Sequence, residues 1–435
     1  MKNLLISVSL AFLLATGSHS SGQNLSASVS SVDITPPIEM KFALGGYGER
    51  MNKPAESIHD PIWAKALTLR DGNKKYAIIS LDILGLPANV KTDLIKRVSQ
   101  HGWSAENIML LPSHSHGSLE MAALNSKNLL NSPQLGIFQP ELLAFLLDKL
   151  EILLKAADQN YQPVKVGTAS QLLEGFNRNR RKDPEVDREL IVTRIELLNG
   201  KPLAVLVNWT AHPTFIDGTD MQLSAEWPGY LQTELQNLIG EGVTAMYYNG
   251  AEGDQSPVRD GPDNAYIKIQ IYGKKIAGFA YEIYKNIKPE KVKALQYSYN
   301  TIKLPEHAAH PAFMKTGGEE YGLDENSVKI VMDMLSPQEV SIGAVRLGEL
   351  VIAGAPGEMT AVLGLNVKNS IKAAGIKYAA IGGLANEWIS YILSRNQYIN
   401  GEGYEASVSF YGPDLGEIIS AEMIKTASKL TKTKQ

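Results

Sequence analysis

The sequence predicts an α/β fold: a layered, mixed β-sheet core with flanking helices, forming one large domain. Three observations lead there. Short apolar runs of strand length alternate with longer segments of helical spacing, the pattern of a layered α/β domain. Glycine-bearing dipeptides join two pairs of those strands as hairpins. Polar clusters carrying histidine, glycine and acidic residues follow directly on apolar strands, at the carboxyl ends where open α/β sheets bind ligands.

In chain order, residues 1–22 read as a secretory signal. Lys2 supplies the basic start, Leu4 to Ala15 is apolar, and the small residues Gly17, Ser18, Ser20, Ser21 and Gly22 follow. The apolar run falls short of the ~20 residues that a spanning helix needs. Cleavage and a secreted or periplasmic protein are therefore expected, with the domain occupying residues 23–435. Strands are predicted at Ala64 to Arg70 and Lys75 to Ile83 around Asp71-Gly72-Asn73, and at Leu190 to Leu198 and Leu203 to Trp209 around Asn199-Gly200. Further strands are Ile108 to Leu111, Val243 to Tyr248, Val340 to Arg346, Leu350 to Ala353 and Tyr378 to Ile381. Apolar residues at helical spacing mark Pro140 to Ala156, Trp227 to Ile239, Ala265 to Lys288 and Leu415 to Leu430. No internal repeat, low-complexity tract or linker is visible after the signal.

Composition narrows the function. With 44% hydrophobic residues the 435-residue chain can bury a sizeable core. A formal charge of -4 and the lack of a long basic block give no basis for nucleic-acid binding. The chain has no cysteine, which excludes disulfides and a cysteine-borne lipid anchor, so packing must supply its stability.

Only eight histidines occur, and two lie in Pro112-Ser113-His114-Ser115-His116-Gly117, where a strand runs out. Their spacing in an extended segment turns both rings to one side. His212 ends another strand, in Thr210-Ala211-His212-Pro213. Neutral imidazoles ligate zinc, and a catalytic zinc site takes three protein ligands and keeps a position for water, so a three-histidine site is one reading. Glu358, in Pro356-Gly357-Glu358, either completes such a set or acts as a base.

The loop Asn249-Gly250-Ala251-Glu252-Gly253-Asp254-Gln255-Ser256-Pro257 offers polar groups, with Gly250 and Gly253 permitting unusual dihedrals and close backbone approach. Its Ser256 lacks the Gly-x-Ser-x-Gly elbow of a nucleophile. Asn177 to Lys182 is a basic run that reads as solvated surface or as an arginine site for a carbonyl or carboxylate. Gly45-Gly46-Tyr47-Gly48 does not match a nucleotide motif. His59-Asp60-Pro61 reads as a structural turn. His101, His307 and His310 have no evident partner, and Tyr391, Tyr398, Tyr404 and Tyr411 read as packing residues.

Taken together and in this order, certain segments resemble the neutral/alkaline, non-lysosomal ceramidase family. They are Val32-Asp33-Ile34-Thr35-Pro36-Pro37 with Gly45 to Gly48, His59-Asp60-Pro61, Ser113 to Gly117, Asn177 to Arg181, Ala211 to Thr214, Gly250 to Pro257, Pro356 to Glu358, and Tyr391 to Glu405. The resemblance implies a zinc-dependent amidase with one catalytic Zn2+, cleaving the N-acyl bond of ceramide to a sphingoid base and a fatty acid. By position it implies His114, His212, Glu358 and Tyr391 as zinc ligands. His116 would be an acid-base or carbonyl-polarising neighbour, Arg180 would fix substrate, and Ser256 would lie beside the reacting centre. A small lipid or amide substrate and a peripheral membrane contact to reach it are then expected.

The chain departs from the family at Ser118-Leu119-Glu120-Met121, where a glycine- and proline-rich continuation is usual, and at Val258, where an asparagine is usual. It also ends where full-length ceramidases continue into a C-terminal β-sandwich, so no such domain is expected. These departures keep open a same-fold hydrolase of a non-ceramide amide, ester or lactone, and a non-catalytic binding protein.

Overall fold

The two turns that predict hairpins both form them. Trp63–Asp71 pairs antiparallel with Lys74–Leu81, and Glu189–Leu197 pairs antiparallel with Pro202–Trp209. The structure, a computed structural model, describes residues 25–401 and 403–431. The expected signal at residues 1–22 lies outside the described residues.

Each hairpin belongs to a larger unit, and the same unit occurs three times. Three strands meander antiparallel, a helix crosses over, a fourth strand lies parallel to the third, and a second helix closes the unit. The first uses Ser26–Asp33, Trp63–Asp71, Lys74–Leu81, helix Ala88–Val98, strand Ile108–Pro112 and helix Pro140–Ala157. The second uses Gln162–Leu172, Glu189–Leu197, Pro202–Trp209, helix Glu226–Ile239, strand Thr244–Asn249 and helix Ala265–Asn286. The third uses Gln296–Lys303, Glu339–Leu347, Leu350–Gly354, helix Ala361–Ala373, strand Tyr378–Gly382 and helix Leu415–Ser428. A parallel return needs a crossover, which the first helix of each unit provides. The expectation of no internal repeat is corrected here. The repeat lies in backbone order, with a positive-φ glycine in the second hairpin of each unit: Gly72, Gly200 and Gly348.

Units one and two join edge to edge at Ser26↔Pro163 and Ala27↔Gln162, while the third unit forms its own sheet. Strand alternation shows how the three pack. In the first unit Ile79, Leu81 and Leu110 face that unit's helices, and in the second Val205, Val207 and Tyr247 do the same. In the third unit Val351, Ala353 and Ile381 do so. The intervening residues Ile78, Leu111, Leu206, Met246, Ile352 and Ala380 meet in one shared central cluster. Helices therefore lie outside and the sheets face inward. Burial on both faces explains why these strands read as continuous apolar runs rather than alternating ones. Among the described residues, no helix is long and apolar enough to cross a membrane.

Candidate active site

Packing the sheets face to face brings the carboxyl ends of their inner strands to one place. Two buried asparagines tie those ends together. Asn208 Nδ2 donates to the carbonyls of Tyr248, Asn249 and Ile381, and Asn249 Nδ2 donates to those of Ser113 and Ala211. The loops that follow therefore leave a common platform: His114 and His116 from the first unit, His212 and Glu252 from the second, Glu358 and Tyr391 from the third.

His114 reaches the centre differently from the way its spacing suggests. The expectation placed it in an extended segment, whereas its φ is 70°, a left-handed conformation that costs ~1–3 kcal/mol in a non-glycine residue. Its backbone N–H donates to Ile83 O, and its ring Nδ1 lies 2.7 Å from Leu84 O, so the surrounding structure holds the strain. The rings of His114 and His116 still meet, edge to face, with their Nε2 atoms 3.3 Å apart. His212 is fully buried, and its Nδ1 lies 2.7 Å from Glu252 O.

These contacts decide the tautomer. A carbonyl can only accept, so Nδ1 of His114 and of His212 each carries a proton, and in the neutral ring each Nε2 presents a lone pair. Both lone pairs face Glu358 Oε2, which is 3.0 Å from His212 Nε2 and 3.3 Å from His114 Nε2. A second proton on His212 is opposed by burial and by the charge of Arg180, which lower its pKa to about 4. Three acceptors thus converge among buried side chains, and a cation satisfies all of them at once. The donor chemistry fits a divalent metal: neutral imidazoles fixed through Nδ1 to backbone carbonyls, beside a carboxylate. Among the described residues, two overlapping groups can hold an ion, His114 with His116 and His212, and His114 with Glu252 and Glu358.

Glu358 and Tyr391 are directly paired in the short parallel bridge Glu358–Met359 with Tyr391–Ile392. Trp388 Nε1 donates to Glu358 Oε1 at 2.8 Å, leaving Oε2 for the histidines. The phenol of Tyr391 accepts from Arg180 Nη2 at 2.9 Å, and burial raises its pKa well above the ordinary value. Arg180 is not a solvated surface residue. Its Nε bonds Glu405 Oε1 at 2.6 Å and its Nη2 bonds Gly253 O at 2.8 Å. Neither Gly250 nor Gly253 has a positive φ. Gly253 serves by close approach, since a Cβ there would stand 2.5 Å from Glu358 O. Ser256 pairs with Arg178 across a two-strand bridge and is half-buried at the site.

A cavity of about 530 Å3 opens from this cluster, with His114, His116, Arg180, Ser256, Glu358 and Tyr391 in its wall. Away from them the wall is largely apolar, with Phe313, Leu323, Val328, Val331, Met332 and Phe410 on one side. Six of the seven sequence-predicted site residues therefore border one space, and His212, fully buried behind them, reaches it through Glu358. His59-Asp60 stands elsewhere, where Asp60 accepts from Ser224 Oγ and Ala225 N, a structural turn as expected. His307 and His310 do have partners, Asp333 and the Tyr398 carbonyl. Sequence reasoning missed the carboxylates of Glu252 and Glu405 and the indole of Trp388 as members of the cluster. Glu252 carried a signal in its place within the loop after Tyr248, whereas Glu405 meets Arg180 only through the fold.

A family profile described as neutral/alkaline non-lysosomal ceramidase, N-terminal, matches residues 26–271 and 323–419. The neutral ceramidase of Pseudomonas aeruginosa is 22% identical over 451 aligned positions, covering 85% of this chain and 66% of that protein. Neutral ceramidase B of Dictyostelium discoideum is 20% identical, covering 85% of this chain and 67% of its own length. The chain thus spans about two thirds of the length of these curated relatives. The crystal structure of the Pseudomonas aeruginosa neutral ceramidase has the same fold, with a TM-score of 0.81 at 20% identity over 94% of this chain and 74% of that one. A ceramidase complexed with C2 gives a TM-score of 0.82 at 20% identity, over 95% and 77%. The profile match takes in each strand end that carries a donor to the cluster, and the chain belongs to the neutral/alkaline non-lysosomal ceramidase family.

Proposed function

We propose that this protein is a zinc-dependent amidohydrolase that cleaves the N-acyl amide bond of ceramide, or of a related N-acyl lipid, to a sphingoid base and a fatty acid. One observation carries the reading: two imidazole Nε2 atoms, on rings held through Nδ1 by backbone carbonyls, and a carboxylate oxygen face one another at the end of a largely apolar cavity. The neutral ceramidases among its relatives bring the substrate class. A volume of about 530 Å3 is that of a site for one small ligand (~300–1,000 Å3).

His114, His212, Glu358 and Tyr391 would hold the zinc, which when bound supplies Lewis acidity toward an acyl carbonyl and makes water a nucleophile near neutral pH. The chain's own residues handle the rest. Arg180 holds the phenol of Tyr391 in place and presents positive charge beside the carbonyl. His116 is neutral, because burial and the neighbouring His114 and His212 hold its pKa well below the ordinary value. It takes the proton released as water adds to the carbonyl carbon and returns it to the departing nitrogen as the C–N bond breaks. Ser256 orients substrate or water. The products are one carboxylate and one amine, with water consumed and no oxidant required.

The apolar wall receives the acyl chain, and a peripheral membrane contact at the cavity mouth would deliver lipid. Secretion or a periplasmic site follows from the reading of residues 1–22 as a cleaved signal. A second substrate reading, a non-ceramide amide, ester or lactone, is favoured by Glu120 and Met121. These residues depart from the family pattern and stand in the cavity wall.

The test is an assay of zinc-loaded, chelated and His114→Ala protein against ceramide beside N-acyl amino acids, acylated amino sugars, esters and lactones. Zinc-dependent release of fatty acid from ceramide, lost in His114→Ala, is expected. Turnover of another substrate class with none of ceramide would establish the second reading, and stoichiometric zinc with no turnover of any would leave a binding protein.

A further inference from the structure

The reading above uses four donors and leaves one buried carboxylate without a task. Glu252 lies in the loop after strand Thr244–Asn249, and its residue exposure is 0%. Neither of its carboxylate oxygens has a hydrogen-bond partner. Its backbone carbonyl accepts from His212 Nδ1, so the main chain is already committed to positioning one donor of the centre. The side chain turns to the same space: an oxygen of Glu252, a nitrogen of His114 and an oxygen of Glu358 lie within 4.8 Å of one another. Room for it is built in, since a Cβ at position 383 would come within 2.5 Å of Glu252 Oε2, and Gly383 has none.

Two buried carboxylates side by side repel, and burial deprives both of water. Other buried acids in the chain are matched by cations or donors. Asp187 is paired with Lys368, and Asp254 accepts from Asn179 and the Ala361 N–H. Glu252 has no such hydrogen-bonded match among the described residues. A cation placed among His114, Glu358 and Glu252 satisfies its oxygens and removes the repulsion together.

We propose that Glu252 is a further metal ligand, so that the centre presents two carboxylates, from Glu252 and Glu358, to one divalent cation. The inference rests on the metal reading of the site and goes beyond the four-donor set implied by the family resemblance. It makes the site richer in oxygen than two imidazoles, one carboxylate and a phenol.

The experiment uses the full-length protein stripped with a chelator, titrated with Zn2+ against a competing chromophoric chelator, and separately loaded with Co2+ for its visible spectrum. Wild type, Glu252→Gln and Glu252→Asp are compared. Loss of a hydrogen-bonded neighbour of a ligand typically costs ~10–100-fold in affinity, and loss of a ligand is expected to reach or exceed the upper end, about 100-fold for Glu252→Gln. The bond from His212 to the Glu252 carbonyl is main-chain and survives the substitution, so reorientation of His212 does not account for such a loss. The Co2+ absorption should shift in Glu252→Gln, and Glu252→Asp should fall between it and wild type.

Zinc affinity within threefold of wild type and an unchanged Co2+ spectrum in Glu252→Gln would overturn the assignment while leaving the metal site intact. Wild-type protein that binds no zinc overturns this inference and the metal reading together. Should Glu252→Gln not fold, a crystal structure of zinc-loaded wild type decides: a Glu252 oxygen at about 2.0–2.2 Å from the ion supports the assignment, and one beyond hydrogen-bond distance ends it.

Discussion

Glu358 and Tyr391 are register partners in a parallel bridge only two residues long, so their side chains leave the same face of the third unit's strand ends. That bridge fixes a carboxylate beside a phenol before any ligand arrives, and Trp388 and Arg180 each hold one of the two with a single hydrogen bond. Tyr398 and Tyr404 are aromatic neighbours in the same stretch with other duties. Tyr398 packs edge-on against His310, and the Tyr404 hydroxyl meets that of Tyr321.

Replacing the phenol therefore tests the bridge. Tyr391→Phe keeps the buried ring and loses only its oxygen, so the fold should persist while zinc affinity falls by about 10–100-fold. Tyr398→Phe should leave zinc affinity unchanged. Competition with a chelator measures both, and equal effects from the two would separate the bridge from the metal.

His114 and His116 began as equals in the sequence, and their environments separate them. His114 is locked through Nδ1 to the Leu84 carbonyl and faces Glu358, whereas the Nδ1 of His116 is buried with no partner. His114→Ala should abolish stoichiometric zinc binding. His116→Ala should retain zinc and lose about 10²–10⁴-fold in kcat, the range of a general acid-base group. Elemental analysis with steady-state kinetics reads both quantities, and matching zinc loss in the two variants would restore the three-histidine site.

Much of this arrangement was legible because strands buried on both faces are conspicuous. Lys74–Leu81, Ile108–Pro112 and Thr244–Asn249 all read as apolar runs, and the loops after the last two carry His114, His116 and the Asn249 to Pro257 cluster. Their convergence on one crevice followed from the rule for strand carboxyl ends. Ser26–Asp33 and Gln296–Lys303 escaped notice because serine, asparagine and lysine fill their more open positions. The threefold repeat escaped for a related reason: the units share backbone order, while a single hairpin glycine in each, Gly72, Gly200 and Gly348, is too common a turn residue to reveal it. Arg180 illustrates the limit, since a residue in a basic run becomes a half-buried anchor only through Glu405, which lies 225 residues away in sequence.

Glu226 gives a dependence on pH with a definite sign. It is fully buried near the His212 loop, one oxygen accepting from Phe215 N–H and the other without a partner, and burial raises its pKa from 4.5 to about 8. Between those values the unfolded chain has released the proton and the folded chain still holds it. Folding stability from this group is thus fully present below about 4.5 and is lost as pH rises through about 8, by up to about 5 kcal/mol. Glu226→Gln removes the penalty. Denaturant unfolding at pH 5 and pH 8 should show a variant near wild type at the lower pH and more stable than wild type at the higher, and a gap independent of pH would refute the assignment.

Asn249 is predicted to be a keystone of the platform. Its amide donates to carbonyls of the first and second units, Ser113 and Ala211, from a fully buried position. Asn249→Ala leaves those acceptors unpaired at ~1–3 kcal/mol each, so a loss of about 2–5 kcal/mol is expected from unfolding curves. Asn249→Asp should cost at least as much, because it turns an acceptor toward two acceptors. A loss under 1 kcal/mol would mean that Asn249 is not what holds the first and second units together.

The last prediction concerns what fills the cavity. Helix Glu325–Leu335 contributes Val328, Val331, Met332 and Leu335 to the apolar wall, with Phe313 and Phe410 beside them. Val331 is half-buried there, so Val331→Trp can fill space with little strain on the core. If this wall holds an acyl chain, kcat/KM for a long-chain N-acyl substrate should drop at least about tenfold, a loss of ~1.4 kcal/mol of binding. An N-acetyl analogue should be cleaved within about threefold of wild type, since the donors of the centre are untouched. The informative quantity is the ratio of the two, because a general loss of activity lowers both substrates equally. An unchanged ratio would place the acyl chain elsewhere and leave the helix with a purely structural role.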